Sequence, residues 1–255
     1  VSWWDYGHWI TTLGERPAFA NPFQQNAREA ANYLLASNES AASEVITSET
    51  GERGRYVMLD YQLGLSGTRK FSAPAAWETD HNVSGSELSQ SVLAQTRNGL
   101  RLAFSAQTER SMSSMRTRLY QHHGSAIGPE SPNSALGSRV VVVDWERQSI
   151  QGQQYPVLPS NNQPLRLFAN LTAAQEFVRQ DGSAQVGGVL GEPPVAQPAL
   201  EHYRLVNTSP TRSETPVSRI FRFTEAQRTG GSPNQLSPIE VQPWVKTFER
   251  VPGAT

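Results

Sequence analysis

Ser2-Trp3-Trp4-Asp5-Tyr6-Gly7-His8-Trp9 is the stretch on which the reading of this chain turns. Three tryptophans, a tyrosine, a histidine and a carboxylate fall within the seven positions 3–9. Adjacent side chains point in different directions in both helices and strands, so no single buried face would take both Trp3 and Trp4. Two arrangements satisfy this. In one, a turn or helix start walls a pocket with aromatic rings, holds Asp5 at its edge and uses Gly7 for a backbone angle that other residues resist. In the other, the tryptophans fill a core corner and Asp5 caps a helix.

Composition sets the limits around the motif. The 255 residues suffice for one large or two modest domains. With 37% apolar residues, six tryptophans and nine phenylalanines the chain can bury a core. A net charge of −1 offers no electrostatic case for nucleic acid or an anionic membrane, so no nucleic-acid partner is expected. The absence of cysteine excludes disulfides, zinc thiolates and thiol nucleophiles. No apolar run has the length of a membrane span and no signal peptide precedes the motif. A chain that opens on Val1, almost inside a motif, reads as a piece of a longer protein.

Downstream, Asn21-Pro22 has the form of a helix start, and Ala27, Ala30, Ala31, Leu34 and Leu35 give the following helix, to residue 36, its apolar stripe. Residues 37–54 read as a linker or weak helix ending in a turn. Residues 55–61 read as a buried strand that delivers Asp60 to its C-terminal end, either facing a cleft or serving as a turn residue. Lys70 comes after a loop at Gly64-Leu65-Ser66-Gly67; alone it is an ordinary surface lysine. Residues 76–104 carry Trp77, an Asp80-His81 pair and a serine-rich loop. There Glu78, Asp80 and His81 fit no standard metal-ligand spacing. Residues 109–124 form a second helix, in which Met112, Met115 and Leu119 recur at helical steps and Gly124 is the C-cap. The pair His122-His123 sits in its last turn, where the helix dipole favours a cation.

A Gly-, Pro- and Ser-rich loop at 124–138 marks the expected boundary. Strands are expected at 139–145, 165–169, 184–190, 202–207, 219–224 and 243–251, with a short helix at 170–179. The expected fold is α+β: a mainly helical core subdomain over 1–135, then a β-rich sandwich or barrel-like subdomain over 136–255, cut at its C-terminus.

Trp3-Trp4-Asp5-Tyr6-Gly7 also resembles the five-residue signature of the catalytic subunit of oligosaccharyltransferase, and the extended form through His8-Trp9 is similar to the single-subunit archaeal enzyme. That family has a second motif, an Asp followed by a Lys and then by Met or Ile. Asp60 and Lys70 resemble its polar members, whereas Pro74 stands where the third residue is expected. The resemblance implies transfer of an oligosaccharide from a lipid-linked donor to the Asn of Asn-x-Ser/Thr, with this stretch opening a domain on the extracellular face of the cell membrane. It implies an acceptor site at Trp3, Trp4, Asp5, Tyr6, Gly7, Asp60 and Lys70. There the indoles donate hydrogen bonds to the Ser/Thr hydroxyl, Asp5 accepts one, and Lys70 completes the pocket. Mg or Mn is implied in the full-length enzyme, bound by acids outside this chain, so the chain alone is expected to catalyse nothing. Four sequons of its own, at Asn38, Asn82, Asn170 and Asn207, fit such a location. Two other classes stay open. A carbohydrate-binding or surface-layer module would stack sugars on the aromatic cluster. A glycoside hydrolase would pair Asp5 with Asp60 or Glu15.

Overall fold

In the computed structural model, which describes residues 1–65, 70–77, 83–96, 99–128, 138–143, 146–158, 166–168, 171–180, 185–191, 196–214 and 241–251, the motif forms a 3-10 turn, Trp4–Tyr6. This turn runs directly into α1, Gly7–Thr12. Next come α2, Ala27–Leu35, and α3, Glu39–Thr50. β1, Tyr56–Asp60, leads into the single turn α4, Tyr61–Gly64, whose first residues are held by Asp60: the Leu63 N–H donates to Asp60 Oδ1 at 2.7 Å. β2, Ser89–Thr96, and β3, Gly99–Gln107, precede α5, Glu109–Ser113, and α6, Met115–His122. The remainder supplies β4 (Ser138–Val143), β5 (Glu146–Ile150), β6 (Gln153–Leu158), β7 (Arg166–Phe168), α7 (Leu171–Gln180) and β8 (Gln185–Gly191). It closes with β9 (Tyr203–Thr208), β10 (Thr211–Glu214), β11 (Val241–Pro243) and β12 (Val245–Arg250). The strand expected at 219–224 lies outside the described residues.

Two sheets organise these elements. The small one has the order β1-β12-β9, antiparallel throughout, with Tyr56 opposite Glu249 and Asp60 opposite Val245. Its inner face carries Val57, Leu59 and Phe248. These bury against Tyr33 and Leu34 of α2, Ile46 of α3, and Met115, Leu119 and Tyr120 of α6. Burying each aliphatic or phenylalanine side chain here contributes roughly 1.5–3 kcal/mol. The large sheet has seven strands in the order β5-β6-β2-β3-β8-β4-β7, with α7 packed beside β4, β7 and β8. β5 and β6 are joined by Gln151-Gly152, both at positive φ, the geometry that matches the twist of a tight hairpin.

The fold is α+β as expected, and the β-rich part is an open mixed sheet, β2 lying parallel to β6, in place of a sandwich or barrel. The sheets do not divide at residue 135. β2 and β3, from a region read as loop, sit in the middle of the large sheet, while β9 and β12 return to β1 in the small one. Local details also differ. Asn21 starts no helix: its Oδ1 takes the Phe23 N–H at 3.0 Å in a turn, and α2 begins at Ala27 after a left-handed Asn26. Residues 37–54 contain a full helix, α3, capped by the Asn38 side chain and buried along only Ala42 and Ile46. The expected helix over 109–124 breaks at Ser114, whose extended backbone separates α5 from α6.

At the end of α6 the expected histidine cations are displaced by a lysine. Burial pushes the imidazole of His122 down to about 4 and also lowers His123. The charge at the helix C-terminus comes instead from buried Lys246 of β12, whose Nζ lies 2.6 Å from the Tyr120 carbonyl and 2.7 Å from His123 Nε2.

Candidate functional site

The adjacent tryptophans take different jobs. Trp3 is extended (φ −65°, ψ 147°) and only 2% exposed, and its ring belongs to the core beneath the small sheet. The chain then tightens into the 3-10 turn, which swings Trp4, Asp5 and Tyr6 towards the surface, each half-buried. Trp3 therefore fills a core corner, while its neighbour Trp4 stays half-buried at the surface. Gly7 is needed for space and not for an unusual angle. Its backbone is ordinary α-helix (φ −55°), but a Cβ there would sit 2.3 Å from the Ala20 carbonyl oxygen, where the loop following α1 crosses the helix start.

Asp5 and Lys70, 65 positions apart, form an ion pair through Asp5 Oδ2 and Lys70 Nζ. Lys70 Nζ also lies 3.7 Å from Asp60 Oδ2 and 4.8 Å from the centre of the Tyr6 ring. The Tyr6 hydroxyl donates to Asp60 Oδ2, and the Leu63 N–H occupies Asp60 Oδ1. Asp60 is 4% exposed. Burial raises its carboxyl above the usual range, against the opposing pull of Tyr6, Leu63 and Lys70. Burial, together with the hydrogen bond to Asp60, also drives the Tyr6 phenol well above its ordinary value, so it stays a donor.

Two polar atoms on neighbouring residues of the turn have no hydrogen-bond partner in the protein. Among the described residues, the Trp4 indole Nε1 and the second carboxylate oxygen of Asp5, Oδ1, are buried and make no hydrogen bond. One donates only and the other, on an ionised carboxylate, accepts only. A hydroxyl is the small group that satisfies both at once. Trp77 lies next to Trp4, its ring 6.4 Å from that of Trp4 at an interplanar angle of 60°. Sequence reasoning noted Trp77 without assigning it to the site; no spacing rule links it to Trp4.

The structure thus brings Asp5, Tyr6, Asp60 and Lys70 into one cluster, keeps Trp4 half-buried next to Asp5 in the same turn, buries Trp3 in the core and leaves Gly7 no room for a side chain. Pro74, in the position of the family's third motif residue, is buried in a 3-10 turn, Ala73–Ala76, just after Lys70. The cluster does not suit a divalent cation, because the Lys70 ammonium already lies against both carboxylates. Among the described residues no group of three or more His, Asp or Glu side chains could hold one. Glu78, Asp80 and His81 lie outside the described residues. No described helix is long and apolar enough to cross a membrane.

Comparison with known proteins points the same way. A family model described as the AglB core domain matches residues 1–64. The dolichyl-monophosphooligosaccharide–protein glycotransferase AglB of Haloferax volcanii is 43% identical over 268 aligned residues, covering 100% of this chain and 24% of the relative. A dolichyl-phosphooligosaccharide-protein glycotransferase 3 of Archaeoglobus fulgidus is 37% identical over 84 residues, which are 30% of this chain and 9% of that protein. Among solved structures, the archaeal oligosaccharyltransferase AglB from Archaeoglobus fulgidus, in complex with an inhibitory peptide and a dolichol-phosphate, shares the fold. Its TM-score is 0.50 at 17% identity, over 99% of this chain and 27% of that one. The chain spans about a quarter of the length of its Haloferax relative. Along its whole length, this chain is homologous to the archaeal oligosaccharyltransferase AglB.

Proposed function

We propose that this chain is the acceptor-recognition part of an oligosaccharyltransferase, and that its cleft binds the hydroxyl of the Ser or Thr in an Asn-x-Ser/Thr sequon. The observation that carries this reading is the pair of unpartnered groups on consecutive residues, the Trp4 indole N–H and Asp5 Oδ1. The sequon hydroxyl accepts from the first and donates to the second. Lys70 holds the other Asp5 oxygen and so fixes the carboxylate, and Tyr6 and Asp60 hold Lys70 in turn. Trp4 and Trp77 offer apolar surface to the threonine methyl.

The relatives' names and the motif's resemblance supply the rest of the proposal. Transfer takes a glycan from a dolichyl-linked phosphate donor to the sequon asparagine, on the extracellular side of the membrane. Mg or Mn, which the resemblance assigns to acids outside this chain, would supply charge to assist the weakly nucleophilic amide, and the residues here bind and orient the acceptor.

The test compares a labelled Ala-Asn-Val-Thr-Ala peptide with its Thr→Val counterpart, which keeps the shape and loses the hydroxyl. Binding is expected to weaken at least about tenfold with Val, because the site's polar groups then go unpaired. Asp5→Ala should erase the difference. Equal binding of the two peptides to the unmodified chain would remove the hydroxyl from the proposal.

A further inference from the structure

Beyond the Asp5 cluster, the same helical run carries an apolar face on which none of the described residues buries Trp9 or Leu13. Trp9 is 65% exposed and Leu13 72% exposed, and they stand four and eight positions after Asp5. The backbone from Trp4 to Leu13 is continuously helical: the 3-10 turn passes into α1 at an αR Gly7, and the Leu13 N–H closes on the Trp9 carbonyl at 3.0 Å. Trp9 and Leu13 therefore share one face of α1, about 6 Å apart along its axis, downstream of Asp5 in the same helical run. An extended peptide repeats its same-side residues every two positions, about 6.6 Å. The two spacings nearly coincide. A peptide whose hydroxyl sits at Asp5 can thus lie along α1 and set every second side chain on that face.

Resting on the acceptor reading above, we infer that Trp9 and Leu13 form an extension of the acceptor site for apolar side chains two and four residues after the hydroxyl-bearing one. Chemistry sets the direction. The residue two positions before the hydroxyl is the asparagine, whose amide must stay free to take the glycan and cannot lie on the Trp9 indole. The downstream half of the peptide is left for the face of α1. Specificity is then layered: the polar pocket demands the hydroxyl, and the aromatic and aliphatic pair grades acceptors by the side chains C-terminal to it.

The experiment measures fluorescence anisotropy of labelled Ala-Asn-Val-Thr-Ala-Leu-Ala-Leu against the 255-residue chain. It is compared with the peptide carrying Ser at both Leu positions, and with one in which the leucines move to the first and third positions after Thr. The in-phase leucine peptide is expected to bind roughly three- to tenfold tighter than both others. Trp9→Ser should remove the preference while the Thr-over-Val difference persists; Leu13→Ser, a second exposed change, should remove only the preference at the fourth position. An undiminished preference in Trp9→Ser overturns the inference and leaves the hydroxyl pocket standing. Loss of the Thr-over-Val difference in the unmodified chain sinks the pocket, and the extension with it. Trp9-dependent self-association, or Trp9-dependent capture of phosphatidylglycerol vesicles without peptide preference, assigns the face to another occupant and also overturns the inference.

Discussion

The ladder between β1 and β12 has an acid at each end, and the two acids live under opposite conditions. Glu249, opposite Tyr56, is gripped by two guanidiniums: Arg55 reaches Oε1 at 2.7 and 2.9 Å, and Arg204 takes Oε2. These partners hold its carboxyl below the usual range. Asp60, opposite Val245, is buried, shares one lysine with Asp5 and has its carboxyl raised. Both ends join residues from distant parts of the chain. Both oxygens of Glu249 are paired, whereas Asp5, which shares Lys70 with Asp60, keeps its Oδ1 without a partner. A closed ion-pair network clamps strands together; on the proposed reading, the incomplete one receives a ligand.

The largest contrast should come from Asp5→Ala. In the intact enzyme it is expected to lower glycosylation of a sequon peptide by about a hundredfold or more, with near-UV circular dichroism and Tm unchanged. A variant that loses its near-UV signal would mean that Asp5 holds the fold and not the ligand. Lys70→Ala comes next, weakening acceptor affinity about tenfold, since the pocket keeps its acceptor and loses the group that orients it; isothermal titration with the sequon peptide reads this out. Glu249→Gln should do the reverse, lowering Tm through the loss of both arginine pairs and leaving acceptor affinity at its wild-type value.

The smallest effect is in the pH dependence of stability, where the two ends have opposite signs. Glu249, lowered in the folded chain from 4.5, contributes stability that is present above that value and is lost as pH falls. Asp60, raised from 3.8, keeps its proton longer in the folded chain than in the unfolded one. Its contribution is therefore present at low pH and lost as pH rises through the window above 3.8. Urea titrations from pH 3 to 7 should show Glu249→Gln flattening the acid limb and Asp60→Asn removing a falling slope, with a Tm at pH 7 no lower than wild type.

Much of this was legible in the residues. The alternation of Val57 and Leu59 marks β1, the alanine stripe marks α2, and the motif singles out Asp5, which the structure pairs with Lys70. What escaped was decided by tertiary pairing. Lys70 is an ordinary lysine until the loop after α4 brings it to Asp5. β2, rich in Ser, Gln and Thr, carries too few apolar residues to announce a strand, and it forms because β3 and β6 on either side complete its hydrogen bonds. α3 hides because two buried positions suffice to dock it. Gly7 was expected for its freedom and is required for its smallness, a distinction visible only where another backbone crosses it.

The central strand of the small sheet leaves the ribosome long after the edge strand it supports. β1 carries Asp60 and lies beside the motif, yet its hydrogen-bonding partner is β12, some 185 positions later by the register Asp60 to Val245. A nascent chain lacking residues 245–250 can collapse its helices but has nothing to frame Asp60, and hence no anchored lysine against Asp5. Maturation of the cleft is therefore tied to synthesis of β12, so copies terminated before residue 245 would carry the signature motif without presenting a competent receptor.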